Sequence, residues 1–145
     1  LAYPIVEVFE LLAETGYYDY EIVPIEDMPN NYGETLKGEN LIRIREDIYE
    51  KACEDDGFSR STIAHELLHF FKHRQEEIVF CRTVEEMKSR KAYEDPEWQA
   101  NCFAGELLVP KRLVKNLSVE EVVEQCKVTQ AMASFQLGQY EKEGW

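Results

Sequence analysis

The chain has 145 residues, enough to close one hydrophobic core without disulfide staples. Asp and Glu number 29 against 16 Lys and Arg; the net charge of -13 disfavours a nucleic-acid partner, because phosphate binding relies on Lys and Arg. With 44% hydrophobic and 31% charged residues and no apolar run of bilayer-crossing length, the composition excludes a membrane-spanning protein and predicts one soluble domain over residues 1–145.

The N-terminus turns acidic by Glu7 and lacks the basic start, apolar stretch and cleavage site of a secretory signal; with no initiator Met, a trimmed N-terminus remains open. Cys53, Cys81, Cys102 and Cys126 form no Cys-x-x-Cys pair. This argues against zinc knuckles and thioredoxin chemistry, and predicts buried thiols in a reducing cytoplasm.

Pro4, then Ile5, Val8, Phe9 and Leu12 at helical spacing, then Gly16, predict a first amphipathic helix. The period then changes. Tyr20 to Ile25 reads as a strand, as does Asn40 to Arg45, where Ile42 and Ile44 alternate with Arg43 and Arg45. Between them Met28 to Gly38 carries Pro29, Asn30, Asn31, Gly33 and Gly38, a turn-rich connection. Glu77 to Arg82 is a weaker third strand candidate. Helices are expected at about Ser59 to His73, Pro96 to Val109, Ser118 to Cys126 and Thr129 to Lys142. Few strands and several helices in separate runs predict an α+β fold, with a short sheet of about three strands and a helical C-terminal part.

The segment from Ser61 to Phe71 contains His65-Glu66-Leu67-Leu68-His69 in an apolar, helix-favouring setting. Residues four apart share a helix face, so the two imidazoles can converge on one zinc ion while Glu66 projects beside it. Zinc acidifies water and polarises a carbonyl, and an adjacent carboxylate can take the proton and pass it to the leaving amine. The pattern therefore predicts metal ligation by His65 and His69 and general-base work by Glu66. The bland alternative is a helix with two chance histidines. His73 continues the spacing, but at ~1.5 Å rise per residue it lies ~12 Å along the axis from His65, so an unbroken helix cannot bring all three to one ion. It reads as a surface residue.

A catalytic zinc needs a further protein ligand. Asp95 as N-cap and Pro96 at the first position mark a helix start, which puts Glu97 in the first turn, where the helix dipole favours its ionised form. Glu97 could equally be an ordinary carboxylate serving its own helix. Asn101, one turn on, could accept the free ring N–H of a zinc histidine. Tyr93, Arg90 and Lys91 precede this helix and could reach the site; Tyr93 is a candidate oxyanion or substrate contact.

Together the two segments resemble the ImmA/IrrE family of bacterial metallopeptidases. Arg60-Ser61-Thr62-Ile63-Ala64-His65-Glu66-Leu67-Leu68-His69 matches the family's Ala-His-Glu-x-Gly-His region, and EWQANCFAGELLVP from Glu97 to Pro110 matches its Glu-x-x-Ala-Asn-x-Phe-Ala-x-x-Leu-Leu-x-Pro stretch. The resemblance implies a small zincin-like domain with its sheet packed on the active-site helix. It favours Glu97 as the third ligand, in the manner of gluzincins. It also implies an intracellular endopeptidase whose protein substrate is a helix-turn-helix repressor of a phage or mobile element. Ser61 stands for the usual Phe and Leu68 for the usual Gly, departures that touch neither ligand nor base. The likeness is sharpest over Asn40 to Pro110.

Two other readings stand beside this one. A zinc-binding antirepressor could keep the site without turnover, although intact Glu66 speaks against it. A DNA-binding regulator could use the C-terminal helices, whose rhythm from Ser118 to Lys142 is that of a helix-turn-helix. Acids outnumber bases there and no Arg occurs, which favours packing or substrate docking over DNA contact.

Overall fold

The computed structural model describes residues 1–79 and 96–144, with residues 37, 73–79 and 96–99 described by their backbone alone. The order is α1 (Ile5–Glu14), β1 (Asp19–Val23), β2 (Gly33–Leu36), β3 (Leu41–Arg45), α2 (Glu46–Cys53), α3 (Gly57–Val79), α4 (Pro96–Leu108), α5 (Lys111–Val114), α6 (Val119–Cys126) and α7 (Gln130–Lys142), with short 3-10 turns at Ile25–Asp27 and Lys37–Glu39. The fold is α+β.

The sheet is mixed. β3 is central, parallel to β1 and antiparallel to β2, so β2 is an edge strand. Strand alternation sends Ile42 and Ile44 into the core, both fully buried, while Arg43 stays on the other face between Glu21 and Glu34 of the two neighbouring strands, at 3.3 and 2.9 Å. On the inner face Ile63, Ala64, Leu67 and Phe70 of α3 join Ile42 and Ile44 in one hydrophobic core. The α4 helix packs on α3 through Ala100 and Ala104, whose small side chains let two helix backbones approach closely.

Asp56 caps α3, accepting from the Ser59 backbone N–H at 3.0 Å and the Ser59 hydroxyl at 2.7 Å, so the helix begins slightly before the expected Ser59. A capping box of Ser118 and Glu121 starts α6, and the Thr129 hydroxyl accepts from the Met132 N–H at the start of α7. Val122, Cys126, Val128, Ala133, Leu137 and Tyr140 carry these two helices into the shared core. The Tyr140 hydroxyl donates to the Val109 carbonyl at 2.6 Å, tying α7 to the end of α4. Buried Arg60 on α3 donates to the carbonyls of Tyr3 (2.8 Å) and Lys127 (3.0 Å), which links the N-terminal segment and the α6–α7 turn to α3.

Gly57 opens α3 directly against the α6–α7 turn: a Cβ there would lie 2.5 Å from the Val128 carbonyl carbon and 2.7 Å from the Thr129 nitrogen. Backbone cannot swing aside as a side chain can. Gly57→Ala is therefore expected to destabilise the chain by ~2–3 kcal/mol, read as a lower urea midpoint; an unchanged midpoint would contradict this packing.

Three expectations need correction. The third strand is not Glu77 to Arg82: residues 77–79 continue α3, and residues 80–82 lie outside the described residues. It is instead Gly33–Leu36, inside the segment expected to be a turn-rich connection, because main-chain pairing with β3 stabilises four residues that carry no strong apolar alternation. The cysteines are not uniformly buried: Cys126 is, Cys102 is half-buried and Cys53 is exposed, while Cys81 lies outside the described residues. Burial pushes the Cys126 thiol pKa up and keeps it unreactive. No helix among the described residues is long and apolar enough to cross a membrane.

Candidate active site

The α3 helix turns Ile63, Ala64, Leu67 and Phe70 toward the core, which leaves His65, Glu66 and His69 along the boundary with β2 and α4. His65 is half-buried, while Glu66 and His69 are each only 8% exposed. The Nε2 atoms of His65 and His69 face one another at 3.0 Å. Behind them, His65 Nδ1 lies 3.0 Å from Asn101 Oδ1 on α4. An amide oxygen can only accept, so Nδ1 carries the proton and Nε2 of His65 presents its lone pair toward His69.

Two imidazole nitrogens this close must share either a proton or a cation. Nitrogens bound to one tetrahedral zinc at ~2.0–2.1 Å lie ~3.3 Å apart, close to the observed separation, so this pair fits the metal. Among the described residues they belong to no group of three or more metal-type donors. Glu97 is the second residue of α4, one helical turn before Asn101, and its side chain lies outside what is described. Arg90, Lys91, Tyr93 and Asp95 also lie outside the described residues, as does the side chain of His73, although α3 runs unbroken through that position.

Glu66 is held from the sheet. The Thr35 hydroxyl on β2 donates to Glu66 Oε2 at 2.6 Å and lies 3.2 Å from the Glu66 carbonyl oxygen. The strand can come this close because residue 33 is glycine: a Cβ there would sit 3.0 Å from Glu66 Cγ and 3.3 Å from the Arg43 carbonyl oxygen. Sequence reasoning missed Thr35 and Gly33, and no local signal could have revealed them, since Thr35 meets a partner 31 residues away. Of the two departures from the family pattern, Leu68 is buried behind the site and Ser61 lines the cleft in front of it.

That cleft, about 440 Å³, runs between the start of β2 and the exposed face of α3 and includes His65, Glu66 and Asn101 in its wall. A carboxylate beside two converging imidazoles, in the wall of a cleft and under an edge strand, is an arrangement that can handle protons next to a Lewis acid.

The family model of the IrrE N-terminal-like domain, peptidase family M78, matches residues 21–137. The chain belongs to this family. Its members are metal-dependent peptidases, so metallopeptidase chemistry and a protein or peptide substrate are the family-level expectation. No curated protein and no solved structure gave a match. The matched span takes in α6 and the first part of α7, up to residue 137.

Proposed function

We propose that this IrrE-like chain is a single-domain zinc endopeptidase in which His65, His69 and Glu97 hold the metal and Glu66 is the general base. The reading rests on one observation above others: the His65 and His69 nitrogens converge at 3.0 Å beside a carboxylate that is itself oriented by Thr35. Glu97 enters through backbone position, one turn before the Asn101 that touches His65, and through the match of its helix to the family stretch.

Zinc in such a site supplies Lewis acidity toward a carbonyl oxygen and toward water. The chain supplies the rest. Glu66 takes the proton of the attacking water and returns it to the departing amine nitrogen. Asn101 fixes the His65 tautomer so that Nε2 is the donor atom. β2 lies at the sheet edge beside Glu66, so an extended peptide adding to that edge would pass its carbonyls in front of the base. The proposed substrate is a helix-turn-helix repressor of a phage or mobile element, met in the cytoplasm; a basic DNA-binding surface would be drawn to a chain of net charge -13.

Thr35 acts on the reaction by aiming the Glu66 carboxylate. Thr35→Val keeps the shape and removes the hydroxyl, so kcat should fall by ~10-fold or more with zinc content and KM unchanged, and Thr35→Ser should restore most of it. A valine variant with full kcat would remove Thr35 from the mechanism.

The whole reading is tested by measuring zinc in the purified chain and incubating it with the repressor encoded beside its gene. One zinc per chain and a cut at a defined bond are expected, with Glu97→Ala losing both. A fully zinc-loaded Glu97→Ala protein would require another third ligand, and an intact repressor would refute the peptidase.

A further inference from the structure

The cleft does not end at the catalytic residues. Along α3 its wall continues from His65 through Thr62 and Ser61 to Phe58, and across from them it is closed by Tyr32 at the threshold of β2. Phe58 and Tyr32 are large aromatic side chains left 46% and 48% exposed, and their rings meet edge to face with centroids 5.0 Å apart. An exposed aromatic pair inside a polar cleft buries no core and stabilises little by itself, so its exposure calls for an occupant.

The pair is also built to stay in place. Arg45 stacks its guanidinium on the Tyr32 ring at 5.0 Å and donates its backbone N–H to the Tyr32 carbonyl at 3.0 Å. That guanidinium is in turn held by both carboxylate oxygens of Asp47, at 2.7 and 3.0 Å. On the other wall, Phe58 sits in the first turn of α3, whose start is pinned by Asp56 and by the close approach of Gly57 to the α6–α7 turn. Such prior fixing lowers the cost of ordering the surface when a ligand arrives.

We propose that Tyr32 and Phe58 form a substrate subsite for a large apolar side chain, aromatic or long aliphatic, about three residues from the scissile bond. The inference deepens the peptidase reading and rests on it. The spacing follows from geometry: Phe58 precedes His65 by seven residues, ~10 Å along the helix axis, and an extended peptide covers ~3.3 Å per residue. The side-chain class follows from chemistry. Among the described residues the cleft wall carries the neutral Asn30, Asn31, Ser61 and Thr62, and Arg45, the cation stacked on Tyr32, is already held by both oxygens of Asp47, so an acidic side chain would lose its water there without gaining an unpaired counter-charge. An apolar one would cover two exposed rings.

The test uses fluorescein-labelled nonapeptide pools with one central residue held as Phe, Leu, Asn or Asp and the others randomised. Binding is followed by anisotropy on the full zinc-loaded chain carrying Glu66→Gln, and cleavage positions are mapped for the wild type by mass spectrometry. The Phe and Leu pools should bind about tenfold more tightly than the Asp pool, and mapped cuts should fall about three residues from the fixed apolar residue. Tyr32→Ala and Phe58→Ala should each flatten the preference while leaving zinc content and melting temperature in place, because both side chains are surface-exposed. If the wild type cuts none of the pools yet the apolar preference in binding persists and depends on both residues, hydrolysis falls and the subsite stands. If all four pools bind alike, or if the preference survives both substitutions, the subsite is overturned.

Discussion

Glu66→Gln should retain zinc and fold while losing peptide-bond hydrolysis by about 10²- to 10⁴-fold, the range carried by a positioned general base. The structure explains why the substitution is clean. Glutamine has the same shape, and its amide oxygen can still accept from the Thr35 hydroxyl that now lies 2.6 Å from Glu66 Oε2. Glu66 is also largely buried and glutamine fills the same space, so the melting temperature should stay close to that of the wild type. A fall in stability would instead mean that the carboxylate has a structural duty. The decisive comparison is with the repressor: wild type should cut it, and Glu66→Gln should bind it without cutting. Should both proteins inactivate the repressor equally and leave its chain whole, the chain acts by binding and the enzymatic reading fails.

His65→Ala and His69→Ala should each strip the metal, and the comparison with Asn101 shows how much. Asn101 touches only the far nitrogen of His65, at 3.0 Å, so Asn101→Ala should weaken zinc affinity by the ~10- to 100-fold typical of a residue that orients a ligand. Removing either imidazole deletes a donor outright and should weaken it by far more, leaving no stoichiometric zinc after dialysis. Zinc competition with a chromophoric chelator reads all three variants on one scale. If both histidine variants kept full occupancy, the metal would lie elsewhere and the 3.0 Å approach of the two nitrogens would be a proton-sharing pair.

The parts legible in the sequence are those whose physics is local. Two histidines four residues apart on an apolar helix face share one side of it whatever surrounds them, and α3 runs unbroken through His65, Glu66 and His69 as that spacing requires. The alternation of Ile42 and Ile44 with two arginines reports β3 for the same reason, and Ser118 and Thr129 announce α6 and α7 through caps that act within three residues. The long second motif likewise marked α4 and the family. What only the tertiary structure decided depends on partners far along the chain. Gly33–Leu36 is a strand because β3 is there to pair with it, and Thr35 becomes the group that aims Glu66 only once that register is set. Tyr32 and Phe58 are unremarkable in sequence and meet because one lies before the edge strand and the other on the first turn of α3. Arg60 reads as a charged residue in a helix, yet folding buries it to bind the carbonyls of Tyr3 and Lys127, 57 and 67 residues away. Local spacing determines which groups stand on one helix face; the chain's long-range pairing determines which groups stand opposite them.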